Sequence, residues 1–232
     1  MPLPSPFLRS WWLEHVGHGE SSFVLAFDDA QLVGGIALQR TTRSGVEWLA
    51  LLGAGPLEPD HLDLVASVDR VADVQAAVRE WLGRSGSRVI DLAGVRPSGW
   101  LIDAVPGLGS VTALEVAPYA TLPATPAEYL KSRPGRMRST ITRTAKRLAK
   151  AGVTLRIVEA ADIDSSLATL AALHDGRWGD ASGFLDHWDQ FAAAARAGAA
   201  VGEFAIHELV DADGVVVATE AGARALGEGG RD

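Results

Sequence analysis

The chain has 232 residues, of which 47% are hydrophobic and none is cysteine, and its formal net charge at pH 7 is −8. That apolar fraction is ample for a buried core, so disorder is not expected, and the length suits one large domain or two smaller ones. The lack of cysteine excludes a disulfide framework, a thiolate zinc site and cysteine nucleophile chemistry, and it suits a reducing cytoplasm.

The first half of the chain is predicted to alternate strands with helices. The predicted strands cover residues 23–27, 32–38, 46–52, 89–92 and 111–116. The predicted helices cover residues 6–16, 68–82 and 100–104. Asp28 and Asp29 join the first two strands in a hairpin. This alternation predicts an α/β or α+β fold.

In the second half, Thr125, Pro126 and Glu128 form a capping-box pattern, which predicts the start of a short helix. Asp162 is expected to cap a later helix. The predicted helices after the capping box cover residues 134–151, 162–178 and 184–199. The predicted strands cover residues 154–158, 204–210 and 215–218. The last dozen residues are small and polar and are expected to fray.

Residues 131–150 are strongly basic, with eight Lys or Arg and no acidic residue, so the other 212 residues sum to −16. Helical spacing places Met137, Ile141, Ala145 and Leu148 on one apolar stripe. Five cations of this segment could bind a phosphate-rich ligand such as coenzyme A, tRNA or a nucleotide-linked sugar. They are Arg136, Arg143, Lys146, Arg147 and Lys150. The alternative is a solvated helix face that offsets the acidic remainder.

No apolar run is long enough for a membrane span, and the N-terminus lacks the pattern of a secretory signal. We therefore predict a cytoplasmic protein. An isoelectric point near 5.2 argues against nucleic-acid binding over the whole surface, although a local basic face remains possible.

Five further residues are candidates for chemistry. His174 lies on the apolar stripe of its helix and could deprotonate an attacking amine; the alternative is a hydrogen-bonded core histidine. Arg177 follows it on the same helix and is a candidate for binding the substrate. Asp60, His61 and Asp63 follow a Gly/Pro loop and could orient an amine or a hydroxyl group; the alternative is loop capping. No spacing of His, Asp or Glu suggests a metal site.

An order of elements occurs twice: a helix with tryptophan, a strand that opens with phenylalanine, an Asp-containing turn and a second apolar strand. The first copy begins at Trp11 and Trp12 and the second at Trp188. Chance recurrence of a helix–hairpin unit is the alternative, because the two copies share few identical residues.

The segment RMRSTITRTAKRLAKAGVTLRIV, followed by LHDGRWG, resembles the GNAT-type acetyltransferase domain of CelD-like proteins. It is also similar to the Fem-type aminoacyltransferases. SPFLRSWWLEHVG, LVGGIAL and PDHLDLV resemble the first half of the same family, so the resemblance covers nearly the whole chain. It implies two GNAT-like units, residues 1–122 and 123–232, each with a twisted mixed sheet flanked by helices.

The resemblance also implies transfer of an acyl group from acetyl-coenzyme A or another acyl-coenzyme A, or in the Fem branch from aminoacyl-tRNA. The phosphate-binding loop of the family, Q/R-x-x-G-x-G/A, is not matched well. The corresponding place in the first half reads GAGPLEPDH and is acidic. Residues 224–229, RALGEG, match the pattern, but no strong strand is predicted directly before them. We therefore expect a chain that is shortened at its C-terminus.

Together these features predict an acyltransferase that acts on an amine or hydroxyl acceptor, either a small molecule or a cell-envelope precursor, with a phosphate-bearing donor at the basic helix. The resemblance implies acyl-coenzyme A as co-substrate and no metal. The alternative function is a non-catalytic GNAT-fold binding domain or an inactive fragment. RNA binding through the basic helix is a third hypothesis, and the acidic chain makes it the least expected.

Overall fold

The computed structural model describes residues 5–6, 9–10, 20–54, 62–84, 88–95, 97–105, 110–113 and 120–223. The chain forms two compact units, one of residues 1–114 with 186–194 and one of residues 115–185 with 195–232. Each unit contains its own sheet. The predicted mixed α/β fold with two sheets flanked by helices is therefore confirmed. The boundary between residues 122 and 123 stays a prediction.

The sheet of the first unit has the order β1-β2-β3-β5, and the short β4 pairs with β2. Its strands are β1 (Glu20–Asp28), β2 (Gln31–Arg43), β3 (Val46–Leu51), β4 (Val65–Ala66) and β5 (Arg88–Asp91). The β1–β2 and β2–β3 pairs are antiparallel, whereas β5 runs parallel to β3. Asp29 takes a left-handed φ of 50° in the tight β1–β2 turn, which an Asp side chain tolerates better than most. The predicted first hairpin is confirmed.

Two helices accompany this sheet, α1 (Val71–Leu82) and α2 (Trp100–Ala104). The helix α1 lies against β1, β2 and α2. Its inward residues Val74 and Val78 are fully buried, because their i, i+4 spacing places them on one face. The core around them also contains Leu38, Leu49, Leu51 and Leu101. The predicted helix at residues 6–16 lies largely outside the described residues.

The strand predicted at residues 111–116 is wrong in its described part, since residues 110–113 have no regular secondary structure. Val111 is 68% exposed there. A β-branched residue favours a strand only where a neighbouring strand pairs with it, and none of the described strands pairs with this segment. The remaining residues of that prediction lie outside the described part of the chain.

The sheet of the second unit has the order β6-β7-β8, with both pairs antiparallel. Its strands are β6 (Thr154–Ile157), β7 (Phe204–Val210) and β8 (Val216–Ala223). Its helices are α3 (Pro126–Ser132), α4 (Gly135–Lys150) and α5 (Ile163–Trp178). A further helix, α6 (Trp188–Ala199), is divided, with residues 188–194 in the first unit and 195–199 in the second. The helix α5 lies against β8. Alternate residues of β7 are buried, which is the pattern of a strand with one face in a core.

Some features predicted from short sequence patterns are confirmed and others are wrong. The capping box is confirmed, because the Glu128 amide donates to Oγ1 of Thr125 and the Thr125 amide donates to Oε2 of Glu128. The side chain of Asp162 makes no capping hydrogen bond to α5, so that prediction is wrong. The α6 helix begins at Trp188 and not at residue 184, because residues 183–187 form a separate 3-10 turn. Both predicted Asp-turn hairpins are present, and the tandem relationship of the units stays a prediction.

Candidate functional site

The basic segment is a helix, α4, that is exposed along most of its length. Ile141, Thr144 and Leu148 are half-buried and mark the inward face, whereas Met137 and Ala145 of the predicted apolar stripe are exposed. At 3.6 residues per turn, five cations fall within an arc of about 100° on the opposite side of the helix. They are Arg136, Arg143, Lys146, Arg147 and Lys150. The sequence order therefore produces an amphipathic helix with a cationic outer face.

A shallow groove of about 580 Å³ runs along one flank of α4. It is lined by Gly135, Arg138, Ser139, Thr142, Arg143 and Lys146. In the part of the chain that the structure describes, no carboxylate lies within 4.0 Å of any α4 cation. Among the described residues, one hydrogen bond involves the side chain of an α4 cation: Nη1 of Arg138 donates to the carbonyl oxygen of Lys131, at 3.4 Å.

This lining combines three cations with two hydroxyl groups and no acidic group. Such a set consists of strong hydrogen-bond donors, and arginine binds phosphate oxygens with two parallel hydrogen bonds. The site is open to solvent, so an anion bound there would be held less tightly as the salt concentration rises. Two of the predicted substrate-binding residues, Arg143 and Lys146, share this groove, while Arg136 lies on the cationic face beside it.

His174 lies near the C-terminal end of α5 and is half-buried. Its Nε2 atom is 3.0 Å from Oγ of Ser182, and its ring centroid is 4.7 Å from that of Phe184. Arg177 is exposed, and its guanidinium group stacks 4.8 Å from the ring of Trp178. No hydrogen bond or ion pair between described residues joins His174 or Arg177 to the cations of α4. Ser182 was missed by sequence reasoning, since nothing local links it to a residue eight positions away.

The carboxylate of Asp63 caps the N-terminus of α2. Its Oδ2 accepts a hydrogen bond from the Trp100 amide at 2.8 Å, and its Oδ1 accepts from the Leu101 amide at 2.6 Å and from the Leu64 amide at 2.8 Å. These bonds satisfy free amides at a helix N-terminus. This arrangement corresponds to the loop-capping alternative. Asp60 and His61 lie outside the described residues, and a substrate role for the three stays a prediction.

Replacing Asp63 with alanine is expected to lower the free energy of unfolding by about 1–3 kcal/mol, because partly buried amides lose their acceptor. Urea denaturation measures this change. Asp103→Ala is the matched control, since Asp103 is an exposed residue of α2 whose carboxylate makes no hydrogen bond to another described residue. Equal stability of the two variants would contradict the capping role.

Glu208 is a buried carboxylate that sequence reasoning missed, and it is 1% exposed. Its Oε2 accepts a hydrogen bond from Nε of Arg156 at 2.7 Å and forms an ion pair with Nη2 of the same residue at 2.6 Å, across the β6–β7 pair. No described residue gives Oε1 a hydrogen bond. A signal was present in the sequence, because Glu208 occupies an inward position of β7 beside Ile206 and Val210. A charged residue at such a position is uncommon and requires a partner.

The two segments compared with the family's phosphate-binding loop lie almost wholly outside the described residues, since of residues 53–61 and 224–229 only Gly53 and Ala54 are described. One expectation about them is nevertheless wrong. The strand β8 extends to Ala223 and so leads directly to Arg224, whereas the sequence predicted that no strong strand precedes this motif. The small residues Ala221, Gly222 and Ala223 have weak strand propensity, and pairing with β7 holds them in the strand.

Two kinds of feature are absent from the described residues. No helix among them is long and apolar enough to cross a membrane. Over the same ranges, no group of three or more His, Cys, Asp or Glu side chains could hold a metal ion.

Comparison with known proteins gives a match for one part of the chain. No curated protein matches the chain. Residues 135–228, however, match the family model of the acetyltransferase (GNAT) domain. The match begins at the first residue of α4 and includes His174, Ser182 and Glu208. The second half of this chain is therefore similar to a GNAT acetyltransferase domain.

Proposed function

We propose that this chain is an acyltransferase of the GNAT superfamily that transfers an acetyl or other acyl group from acyl-coenzyme A to an amine or a hydroxyl group. The observation that carries the proposal is the match of residues 135–228 to the GNAT acetyltransferase domain. Assignment to the CelD-like type, related to the Fem-type aminoacyltransferases, is part of the proposal. It is supported by the order of the basic helix, the following strand and the helix that ends in Arg177-Trp178.

The α4 groove is our candidate for holding the donor. Coenzyme A carries several phosphate oxygens, and Arg143, Lys146 and Arg138 present cations without carboxylate partners among the described residues. Ser139 and Thr142 add hydroxyl donors between them. When bound, acyl-coenzyme A supplies an activated acyl group as a thioester. The role of these side chains is to bind and orient its phosphates.

His174 is our candidate for the general base. An imidazole can accept a proton near neutral pH, and a positioned base typically accelerates proton transfer by about 10²–10⁴-fold. The residue is half-buried, and its ring centroid lies 4.7 Å from that of Phe184, which restricts the imidazole. Arg177 is proposed to contact the acceptor.

The acceptor belongs to the same proposal. A small molecule or a cell-envelope precursor with a free amine or hydroxyl group is the class that the family resemblance implies, and nucleic acid is not expected as the acceptor. A cytoplasmic location is also proposed, supported by the absence of cysteine.

Titration of the chain with acetyl-coenzyme A in a calorimeter tests the proposed function. We expect saturable binding between about 1 μM and 1 mM, the usual range for enzyme substrates, and a rise in the melting temperature as the cofactor is added. No heat and no thermal shift at millimolar acetyl-coenzyme A would contradict the enzyme proposal and favour a non-catalytic binding domain. Desulfo-coenzyme A is a useful second ligand, because it retains the phosphates and lacks the thioester.

A further inference from the structure

A serine hydroxyl group is hydrogen-bonded to the imidazole of His174. The pair is brought together by a sharp reversal at the end of α5, where Gly179 has φ 45° and ψ −134°. A residue with a side chain would be strained in that conformation. The chain then returns through a short 3-10 turn, and Ser182 follows it directly. The contact therefore depends on a backbone conformation that favours glycine.

The geometry allows Ser182 to donate this hydrogen bond, and its direction is set by the tautomer of His174. Oγ of Ser182 accepts a hydrogen bond from the Phe184 amide at 3.3 Å. With one acceptor position occupied in this way, the hydroxyl proton is free to point toward Nε2 of His174, 3.0 Å away. When the hydroxyl group donates, the imidazole carries its proton on Nδ1 and Nε2 is the acceptor, and this is the form that the proposal below uses.

The position of the pair allows a ligand to reach it. His174, Ser182 and Phe184 are all half-buried, so the pair is neither in the core nor fully solvated. The centroid of the Phe184 ring lies 4.7 Å from that of the imidazole, and the two ring planes are tilted by 45°. This contact limits rotation of the imidazole. A hydroxyl group within 2.6–3.2 Å of an imidazole acceptor is the geometry of a serine nucleophile with its general base.

We propose that Ser182 is a nucleophile that accepts the acyl group, with His174 as its base. Oγ attacks the carbonyl carbon of an activated acyl donor, and its proton passes to Nε2 of His174. The new C–O bond replaces the bond to the leaving group, and Nε2 returns the proton to that group. An amine, a hydroxyl group or water then displaces Oγ, which regains its proton. For acyl-coenzyme A as donor this inference rests on the proposed function, but reactivity of Ser182 toward a simple ester does not.

Acetylation by p-nitrophenyl acetate tests the pair directly. We expect about one equivalent of nitrophenolate released in an initial burst and one acetyl group located on the Ser182 peptide by mass spectrometry. Ser182→Ala is expected to abolish this adduct, and His174→Gln to slow its formation by about 100-fold or more. The matched control is Ser165→Ala, because Ser165 lies on α5 with His174 and its hydroxyl group donates to the carbonyl oxygen of Asp162 and not to an imidazole. Absence of acetyl on Ser182 in the folded wild type would overturn the proposal.

Two further measurements distinguish a structural role of Ser182 from a catalytic one. Ser182→Cys retains a nucleophile, and since the chain has no other cysteine its acetylation is followed unambiguously by loss of the free thiol. We expect acetylation of this variant and, in the wild type, a rate that falls at low pH as the imidazole is protonated. The pH dependence should disappear in His174→Gln. Persistence of the same pH profile in that variant would overturn the role of His174 as base.

The outcomes also separate this inference from the proposed function. Acetylation of Ser182 by the ester without any binding of acetyl-coenzyme A would support the nucleophile and contradict the proposed donor. Transfer from acetyl-coenzyme A to an amine at the wild-type rate in Ser182→Ala would support the proposed function and overturn the acyl-serine.

Discussion

Reversal of charge at Arg143 and Lys146 together is expected to weaken acetyl-coenzyme A binding by about 100-fold or more at low ionic strength. Each substitution removes a cation and places a carboxylate beside the bound phosphates. A change of about 1–2 kcal/mol per site is reasonable for exposed charges, and 1.4 kcal/mol corresponds to about tenfold in affinity. Folding should be little affected, because both side chains are exposed. Calorimetric titration of Arg143→Glu/Lys146→Glu measures the loss.

A control variant, Arg147→Glu/Lys150→Glu, makes the same change in net charge on α4. Arg147 and Lys150 lie on the cationic face of α4 but do not line the groove. Arg147→Glu/Lys150→Glu is expected to weaken binding by less than about tenfold, and raising the salt concentration should reduce this effect further. An equal loss in both double variants would show that α4 acts only through its net charge. Unchanged affinity of the Arg143/Lys146 variant would remove the groove from the donor site.

Replacement of Gly34 by alanine is expected to destabilise the first unit by about 3 kcal/mol or more, at the upper end of the cost of overpacking. A Cβ atom on Gly34 would lie 2.4 Å from the carbonyl oxygen of Val65 and 2.7 Å from Cγ2 of Val74. The first contact is with backbone, so it is relieved only by moving β4 away from β2, with which it pairs at this position. The second contact is with the core face of α1, which is fully buried.

Urea denaturation followed by circular dichroism measures the effect of Gly34→Ala. The control is Gly222→Ala, since Gly222 is also in a strand but a Cβ atom there would meet nothing within 4 Å. Its stability should change by no more than about 0.5 kcal/mol, as is usual for surface substitutions. A denaturation midpoint of Gly34→Ala equal to that of the wild type would contradict the described approach of β4 and α1 to β2.

The elements predicted correctly are those whose signals lie between close neighbours in sequence. The capping box around Pro126 joins residues three apart, and the buried faces of α1 and α5 repeat every three or four positions. Such interactions form within one element, so they are readable without knowledge of the rest. Two of the predictions that failed depend on a distant partner. Residues 111–113 have strand-forming side chains but no described strand beside them, while β8 continues through small residues because β7 pairs with it.

The candidate site divides in the same way. The sequence by itself determined the basic composition of α4, its separation into an apolar and a cationic face, and the presence of a histidine on α5. Only the tertiary structure decided which groups meet. Gly179 reverses the chain and brings Ser182 to His174, the β6–β7 register places Arg156 on the buried Glu208, and folding brings Asp63 to amides 37 and 38 residues away. These contacts join residues whose separation in sequence carries no periodic or compositional signal, because chain reversal and strand register arise from packing of the whole unit.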